Sequence, residues 1–320
     1  MNLVEEKNKF EQNFTLVDAA ILSFKGVDGF DVYNCSQPFL YQGDAYLFGR
    51  VERRGEWMRS WIRLFKRTAV DEWTLVPDSM IYTMEDPYIS IIGDEIVMGG
   101  THVKLDQSRL DTYFTDLYRG KKLDDLFYFT SGPDYMKDIR LVALADGRVG
   151  VFSRPRSEDV LAKYGSESMV GFTIIDSLAD LSGKVIEEAD YLPGLFSDNE
   201  WGGCNQAFLL EDGQIGVLGH VSFTDPVAKT AVYMNMSFVL NPKTREYADY
   251  HLIGTRHAFP AGPAKKPKLV DCAFTTGMVP RADGLVDLYS GLGDTLEGRT
   301  AIAYPFEGHG DIICAQYKIQ

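Results

Sequence analysis

The sequence predicts an all-β fold, a five-bladed β-propeller, and three observations support this prediction. Runs rich in β-branched and aromatic residues are joined by tight turns that contain Gly or Asp, as in β-hairpins. Five such hairpins, with turns at Gly43, Gly93, Asp146, Asp212 and Asp283, recur at intervals of 50 to 71 residues. A second, weaker strand pair follows the hairpins. Four strands in each of five units are typical of a propeller whose blades pack around a channel.

The elements can be read in chain order. The five clear hairpins are PFLYQGDAYLFG, YISIIGDEIVMG, LVALADGRVGVFS, AFLLEDGQIGVLG and TGMVPRADGLVDLYSG. Two examples of the second strand pair are WIRLFKRTAVDEWTLVP and MNMSFVLNPKTREYADY. Two segments are predicted to hold short helices or insertions, SEDVLAKYGSES and SLADLSGKVIEEADYL, and no longer helix is expected. A β-sandwich is less favoured, because its turns would come about every 8 to 12 residues without the longer repeat. We expect one domain, residues 1–320.

Charge and composition exclude several classes of partner. A formal net charge of −14 argues against nucleic acid or an anionic membrane, so we expect a small neutral ligand. The N-terminal residues lack an apolar signal core, and no apolar run is long enough to span a bilayer, so a cytoplasmic location is predicted. Scattered Cys and unpaired His residues predict reduced thiols and no metal site. Oligomeric state cannot be read from the sequence.

The hairpins bring polar residues to one end of the predicted channel. Residues equally far before and after a hairpin turn are neighbours, so the open ends of all five hairpins meet. Acid, amide, His and Arg residues stand six to eleven positions from the turn markers: Gln37, Asp86, Asp138 and Asn205 before the turns, and Arg50, His102, Arg154, His220 and Asp294 after them. A shared pocket explains this pattern. The alternative interpretation is that solvated blade edges are generally polar.

Five segments also resemble motifs of known families. YNCSQPFLYQGDAYLFGRVERR is similar to the Asn-Pro-Gly-Ala … Tyr-Arg-Val-Glu segment of the family 130 glycoside phosphorylases, and EDPYIS to their Glu-Asp-Pro-Arg motif. GVFSRPR resembles their His-Arg-Pro, IGVLGHVSF their Tyr-His-Gly-Val, and AFTTGMVPRADGLVDLYSGLGDT their Phe-Pro-Thr-Gly … Tyr-Tyr-Gly-Ala-Ala-Asp-Thr. In detail the sequence looks closer to a relative, the former domain of unknown function 1861, which contains the dual β-1,2-mannosyltransferase and phosphorylase enzymes of glycosyltransferase family 108.

The resemblance implies an enzyme that transfers mannose with inversion. The expected substrate is a β-mannoside, β-1,2-linked, whose mannose passes to inorganic phosphate and gives α-mannose 1-phosphate. No cofactor is implied; phosphate or the sugar phosphate is the co-substrate, and GDP-mannose is an alternative donor. The partner is therefore a small-molecule carbohydrate. An inverting hydrolase of the same fold and a non-catalytic glycan-binding propeller are the alternative functions.

Asp86 is the predicted catalytic acid. Inverting cleavage needs an acid for the leaving oxygen, and a hydrolase adds a second carboxylate that activates water. A phosphorylase instead holds phosphate with cationic side chains. Pro87 is expected to restrict Asp86 to an extended conformation, and Glu85 either raises the pKa of Asp86 or orients a hydroxyl. In the resembled family the matching Asp protonates the bond through a sugar hydroxyl. Alternatively, Asp86-Pro87 only starts a turn.

Other predicted site residues surround this acid. By resemblance, Asn34, Arg50 and Asp294 hold the mannosyl ring, while Arg50 has an alternative role as an ion-pair partner of Glu52 or Glu56. The remaining substrate-binding candidates are Gln37, Glu85, Asn205 and Trp201. Trp201 suits either a sugar platform or a core position between blades.

Cationic side chains on neighbouring blades form the predicted phosphate clamp. Its members are Arg154 and His220, with Lys137 or Arg140. A hydrogen bond within its own blade explains His220 equally well. The KKPK run, residues 265–268, reads first as a solvated loop and second as a contact for a nucleotide-diphosphate donor. Tyr88 and NCSQPF depart from the family motifs, which leaves the acceptor subsite and the linkage open.

Overall fold

Five sheets form the blades of a β-propeller, as the sequence predicts. The structure is a computed structural model that describes residues 2–56, 58–107 and 109–319. The chain begins with helix α1 (Leu3–Asn13) and two short strands, β1 (Ala19–Ile21) and β2 (Ser23–Lys25). All five predicted hairpins are present, and each predicted turn lies at the same end of the ring.

The first two blades differ mainly in their inner strand. Blade 1 has two short inner strands that both pair with the same neighbour, and it comprises β3 (Phe30–Tyr33), β4 (Phe39–Tyr41), β5 (Asp44–Arg53), β6 (Ser60–Ala69) and β7 (Glu72–Leu75). Blade 2 comprises β8 (Glu85–Ile92), β9 (Glu95–Asp106), β10 (Arg109–Gly120) and β11 (Phe127–Ser131).

The remaining blades each begin with their inner strand. Blade 3 carries two short helices between its strands and comprises β12 (Arg140–Ala143), β13 (Val149–Ser153), α2 (Glu158–Tyr164), β14 (Val170–Ile175), α3 (Gly183–Glu187) and β15 (Asp190–Leu192). Blade 4 comprises β16 (Glu200–Leu209), β17 (Ile215–Thr224), β18 (Ala231–Leu240) and β19 (Tyr247–Gly254). Blade 5 comprises β20 (Ala273–Pro280), β21 (Leu285–Leu292) and β22 (Leu296–Ala303).

The N-terminal strands close the ring. Strand β1 pairs antiparallel with β22 and so becomes the outermost strand of blade 5, while β2 pairs with β7 at the edge of blade 1. Arg299 of β22 adds an ion pair to Asp71 in the β6–β7 turn. The first and last blades are therefore joined by backbone pairing as well as by side chains.

The inner strands contact one another around the channel. Gln206 on β16 donates a hydrogen bond to the carbonyl of Ile89 on β8, and Ser90 on β8 donates to the carbonyl of Leu141 on β12. Between the blades, fully buried aromatic rings such as Phe152, Phe172 and Phe208 fill the core. Burial of aromatic and aliphatic surface of this kind is the main favourable contribution to folding.

Four of the five inner strands are irregular at the end opposite the hairpin turns, and that of blade 3 pairs regularly. Blade 1 breaks completely between Tyr33 and Phe39, and the pairing register shifts between Glu85 and Tyr88 in blade 2. Equivalent shifts occur between Cys204 and Gln206 in blade 4 and between Thr275 and Gly277 in blade 5. A bulge redirects side chains and ends regular pairing, so this end of the ring can present polar groups to the channel.

Helix α1 contradicts the expectation that no longer helix exists. Asn2 caps its first turn by accepting hydrogen bonds from the backbone N–H groups of Val4 and Glu5. The helix lies on the outside of the ring, and Leu3 is its only fully buried residue. Eight of its eleven residues are polar or charged, so no continuous apolar stripe marks this helix in the sequence. The two shorter helix predictions are confirmed by α2 and α3.

His309 fastens the segment after β22 to blade 4, and we expect this contact to be pH dependent. Its ring nitrogens lie 2.6 Å from Asp212 Oδ2 and 3.1 Å from Asp249 Oδ2. Hydrogen bonds to Asp212 and Asp249 raise the pKa of His309 despite its partial burial. Because the folded state holds the proton more tightly, the stabilisation is complete below the unfolded pKa and is lost as pH rises through the folded pKa.

The free energy of unfolding of the wild type should therefore fall as pH rises above about 6, and that of His309→Asn should fall less. Urea denaturation between about pH 6 and pH 9 measures both. His251→Asn is the matched control, since that ring contacts the backbone carbonyl of Asp249 and the Ser237 hydroxyl instead of a carboxylate. An identical pH dependence in wild type and His309→Asn would contradict the assignment.

Candidate functional site

A cavity of about 580 Å³ opens at the irregular ends of the inner strands. Eight of the predicted site residues line it: Asn34, Arg50, Glu85, Asp86, Lys137, Arg154, Trp201 and Asp294. They come from all five blades or the loops between them. The structure thus brings together residues that are up to 260 positions apart in the sequence, as the shared-pocket interpretation requires.

Four predicted residues lie behind the cavity wall. The Gln37 side chain makes two hydrogen bonds to the backbone of Met278. It donates to the Met278 carbonyl at 2.6 Å and accepts from the Met278 N–H at 2.7 Å. Arg140 donates to Asp138 and to the carbonyl of Asn205. Asn205 and His220 bind each other, with 2.7 Å between Oδ1 and Nδ1. Direct ligand contact by these four side chains stays a prediction.

Arg50 joins the acidic residues of the site. Its guanidinium lies 2.9 Å from Asp86 Oδ1, 3.1 Å from Glu85 Oε1 and 3.6 Å from Glu52 Oε1. It also donates to Ser60 and lies over the Tyr33 ring, and it is only 4% exposed. The alternative role of Arg50, an ion pair with Glu52, is confirmed, and the guanidinium also lies beside the predicted acid. Contact with the mannosyl ring stays a prediction.

The backbone of Asp86 differs from the expectation. Its φ is 48°, in the left-handed region, so the predicted extended conformation is wrong. Pro87 does not prevent this geometry, since the register shift after Glu85 lets the strand bulge. Asn34, Asp138 and Asp294 also have φ between 45° and 58°. Such conformations cost about 1–3 kcal/mol each and persist where the surroundings fix them, typically at functional sites.

The electrostatics of Asp86 also differ from the expectation. Burial raises its pKa, but Arg50, Lys137 and the Asn34 hydrogen bond outweigh this effect, and the net shift is downward. The proposed increase caused by Glu85 is therefore not the net result. The pKa of Glu85 itself is raised, by burial and by the Asp86 charge, against the attraction of Arg50. Burial likewise raises the pKa of Asp294. Asp86 is thus the carboxylate of this group that is held ionised.

The opposite wall is cationic and is organised by Asp138. This carboxylate is 1% exposed and lies 2.6 Å from Arg154 Nη1 and 3.1 Å from Arg140 Nη2. Burial raises its pKa, but Arg154, Arg140 and Lys137 hold it well below its usual range. Of the two guanidinium groups, only that of Arg154 reaches the cavity, while Arg140 packs over the Tyr88 ring.

Lys137 connects the two walls. Its Nζ lies 3.8 Å from Asp86 Oδ2, and the side chain also lines the cavity. Burial lowers the pKa of Lys137, but the charges of Asp86 and Asp138 more than offset this effect. The net shift is upward, so the ammonium stays charged. A ligand anion that binds Lys137 would therefore weaken the attraction between Lys137 and Asp86.

Trp201 lines the cavity, whereas His220 is buried behind the wall, between blades 4 and 5. Burial and the neighbouring Arg154 hold the pKa of His220 well below its usual value, so its imidazole is neutral. Its ring packs against Tyr233 and Phe274. Trp201 donates a hydrogen bond to the Tyr233 hydroxyl and lines the cavity while being 7% exposed. Trp201 thus combines features of both sequence interpretations.

Some cavity residues were not singled out by sequence reasoning. Tyr113 and Leu110 reach the cavity from the β9–β10 hairpin, and Glu167, Lys229 and Tyr233 reach it from blades 3 and 4. All five lie outside the inner hairpins, on outer strands or in loops, so no turn marker in the sequence relates them to the channel mouth. Strands β9 and β10, with 12 residues each, carry Leu110 and Tyr113 to the cavity.

Two lysines of the KKPK run, Lys265 and Lys268, bear on its two interpretations as a solvated loop and as a donor contact. Lys265 is buried against Glu52 and Tyr33, so it is not a solvated residue. Lys268 lines the cavity, and its contact with a nucleotide-diphosphate donor stays a prediction. The four cysteines are free thiols. Within residues 2–56, 58–107 and 109–319, no group of three or more His, Cys, Asp or Glu side chains is arranged to hold a metal, and no helix is long and apolar enough to cross a membrane.

Comparison with known proteins assigns the family. The model of DUF1861, described as a protein of unknown function, matches residues 8–308. The chain belongs to the DUF1861 family. No curated protein gives a significant match. The DUF1861 assignment confirms the resemblance found in the sequence motifs.

Two solved structures from Leishmania mexicana are similar over their whole length. One is MPT-4, a mannose phosphorylase in complex with phosphate ion, with 45% identity, a TM-score of 0.92 and coverage of 99% of this chain and 98% of that chain. The other is MPT-1, a GDP-Man-dependent mannosyltransferase, with 46% identity, a TM-score of 0.91 and complete coverage of both chains. These relatives confirm the prediction of a glycosyl-transferring enzyme in the DUF1861 family.

A more distant structure shares the fold alone. A glycosyl hydrolase from Bacteroides ovatus is 14% identical, with a TM-score of 0.56 and coverage of 93% of this chain and 98% of that chain. At this identity the match adds support for the propeller and none for the reaction.

Asp138 is expected to stabilise the fold strongly. Asp138→Asn would leave two buried guanidinium groups without their shared counter-charge, and breaking a buried pair in this way costs about 3–5 kcal/mol. Because the folded pKa of Asp138 is lowered, this stabilisation is present at neutral pH and is lost as pH falls. Urea denaturation at neutral pH measures the change.

Asp146→Asn is the matched control, because Asp146 pairs only with Arg148 at an exposed turn. It should change the free energy of unfolding very little. Equal stability of the two variants would show that Asp138 does not organise the cationic wall.

Proposed function

We propose that this chain is an inverting mannosyl-transferring enzyme that moves mannose reversibly between a β-mannoside and phosphate, with α-mannose 1-phosphate as the sugar phosphate. The observation that carries the proposal is the division of one cavity into an acidic wall around Arg50 and a cationic wall around Arg154. A neutral sugar suits the mixed donors and acceptors of the first wall, and an anion suits the second. Phosphate binding by the similar MPT-4 supports the same division.

The reaction then follows from the two walls. The mannosyl ring lies beside Asn34, Arg50 and Asp294, which orient its hydroxyl groups. Phosphate, held by Arg154 and Lys137, attacks the anomeric carbon from one face and forms the new C–O bond. The glycosidic C–O bond breaks on the other face, and the leaving oxygen takes a proton that originates from Asp86 and passes through a sugar hydroxyl. The product retains the phosphate oxygen and has the opposite anomeric configuration.

The low pKa of Asp86 suits the synthetic direction in the empty cavity. In that direction an acceptor hydroxyl attacks the sugar phosphate, and Asp86 must take up a proton, which requires the ionised carboxylate. In phosphorolysis Asp86 must instead carry a proton. We propose that bound phosphate supplies this condition, because the dianion offsets the charge of Lys137, which lies 3.8 Å from Asp86. The pKa of Asp86 would then rise when phosphate binds.

The nature of the donor and the linkage form part of the proposal. We propose a β-1,2-linked mannoside as the substrate, on the strength of the motif resemblance. GDP-mannose is the second candidate donor, and two features support it: Lys229 and Lys268 extend the cationic wall toward the cavity rim, and MPT-1 is GDP-Man-dependent. An added diphosphate and nucleoside would need both the extra charge and the extra length of such a wall.

We also propose that residues 1–320 form one domain and that the protein is cytoplasmic. Ring closure by β1, which joins the N-terminal segment to the last blade, supports a single domain. Free thiols at all four cysteine positions support a reducing compartment.

Asp86→Asn should abolish phosphate release from α-mannose 1-phosphate when mannose or β-1,2-mannobiose is the acceptor. Loss of the group that transfers the proton is expected to lower kcat by about 10²-fold or more. Phosphate release is measured with the purified protein. Full activity of Asp86→Asn would overturn the assignment of the acid. If the wild type releases no phosphate, GDP-mannose is tested as donor with the same acceptors, and the release of GDP is measured instead.

Lys137→Met should raise the KM for phosphate in the phosphorolytic direction by about tenfold to a hundredfold, because a charge-assisted contact to the anion is lost. Lys137→Met should also reduce the amount by which bound phosphate raises the pKa of Asp86. Lys121→Met is the control, since Lys121 pairs with Asp94 at the far end of blade 2. An unchanged KM in Lys137→Met would place phosphate elsewhere.

A hydrolase remains the second candidate because Glu167 lies on the cationic side of the cavity, where a base would stand. Its carboxylate is 2.8 Å from Arg156 Nη2. Under the proposed function, Glu167→Gln keeps phosphate-dependent transfer within about threefold of wild type, since phosphate needs no base. Hydrolysis of a β-mannoside without phosphate, abolished by Glu167→Gln, would replace the phosphorylase by a hydrolase.

A further inference from the structure

We propose that Glu297 is a positioning residue for the catalytic acid, acting from blade 5 through Asn34 of blade 1 on Asp86. The proposal rests on the proposed function only in taking Asp86 as the acid. Glu297 belongs to β22, does not line the cavity and was not singled out from the sequence. Its role follows from three contacts that together connect blades 5, 1 and 2.

The first contact fixes the backbone of the broken inner strand. Between β3 and β4 the chain leaves the sheet, and Asn34 takes a left-handed conformation with φ 45°. The N–H of Cys35 has no strand partner there. Glu297 Oε2 accepts a hydrogen bond from it at 3.1 Å. The carboxylate thus replaces the missing strand partner.

The second contact holds Glu297 itself. Its other oxygen, Oε1, accepts a hydrogen bond of 2.6 Å from the Thr276 hydroxyl, at the bulge of β20. The side chain is 1% exposed, and burial raises its pKa to about 7 although these hydrogen bonds lower it. A carboxylate buried among neutral donors is costly, so a structural role that a smaller apolar residue could fill would not explain its presence.

Blade 5 also fits closely around Asn34. A Cβ added to Gly291 would lie 1.8 Å from Asn34 Oδ1 and 2.7 Å from Asn34 N, so only glycine allows this approach. Gly291 and Glu297 are on neighbouring strands and pair directly across β21 and β22. The wall of blade 5 therefore sets the place of Asn34 both by contact and by hydrogen bonding.

The third contact carries this placement to the acid. Asn34 Nδ2 donates to Asp86 Oδ1 at 2.9 Å, and the same oxygen accepts from Arg50 Nη1. The Asn34 hydrogen bond is one of the interactions that lower the pKa of Asp86. If Asn34 moves, Asp86 loses a donor to its ionised form, and its proton affinity changes.

The test uses Glu297→Gln, which keeps the size and one acceptor oxygen but removes the second carboxylate oxygen. The titration of the Asp86 carboxyl carbon is followed by ¹³C NMR, with the resonance assigned by its absence in Asp86→Asn. Glu297→Gln is expected to raise the pKa of Asp86 by about half a unit or more and to lower kcat by about tenfold, while the KM for phosphate stays within about twofold.

A double-mutant cycle separates positioning from general loss of structure. In an Asn34→Ala background, Glu297→Gln should change neither the Asp86 titration nor kcat further, because the route through Asn34 is already broken. Additive effects in the double variant would overturn the proposal. Arg299→Met is the matched control on the same strand: it removes the ion pair to Asp71, should lower the melting temperature, and should leave the Asp86 titration unchanged.

A wild-type measurement keeps the test decisive if Glu297→Gln does not fold. The Asn34 backbone amide resonance should shift as the Glu297 carboxyl ionises. Cys35, the titratable neighbour in contact with Glu297, stays protonated over the pH range of this ionisation, because burial raises its pKa. If the Asn34 amide resonance does not change as Glu297 ionises, the proposal is overturned. If wild type transfers mannose from no donor, the proposed function fails, whereas the two NMR titrations still decide the role of Glu297.

Discussion

The site depends on the buried guanidinium of Arg50. Arginine remains protonated when it is buried, and its planar group can bind several carboxylates at once. Arg50 uses this property to hold Asp86, Glu85 and Glu52 together, and none of these three residues is more than 8% exposed. Without it, three carboxylates this close would repel one another, and some would take up protons. The position of the acid follows from this cation, which also lowers the pKa of Asp86, whereas burial raises the pKa of Glu85 in spite of it.

The propeller provides the site by interrupting its own sheets. Regular pairing would use every backbone group and send alternate side chains into the blade interfaces. A break in blade 1 and a bulge in blade 2 release Asn34 and Asp86 from this pattern, and Asp138 lies just before the inner strand of blade 3; all three have left-handed conformations. The cost is met by hydrogen bonds from neighbouring blades, as at Glu297. Rigid blades thus hold strained residues where loops would let them relax.

Sequence reasoning found the repeated hairpins because they follow from strand periodicity and turn residues, which are local. It also placed eight site residues at one cavity, since the open ends of hairpins must meet. It could not find Asp138 as the organiser of the cationic wall or Glu297 behind Asn34, because both act across blades and have no local pattern. The left-handed backbone of Asp86 was missed for a related reason. A proline after Asp86 favours an extended residue, but the surrounding blades impose another conformation.

The central claim is that the cavity holds a sugar on its acidic wall and an anion on its cationic wall. A crystal structure of the protein soaked in inorganic phosphate tests this claim most directly. The account predicts one phosphate in the cavity, within hydrogen-bond distance of Arg154 and Lys137 and on the side away from Glu85. A cavity that stays empty at saturating phosphate, or a phosphate bound at Arg50 among the carboxylates, would contradict it.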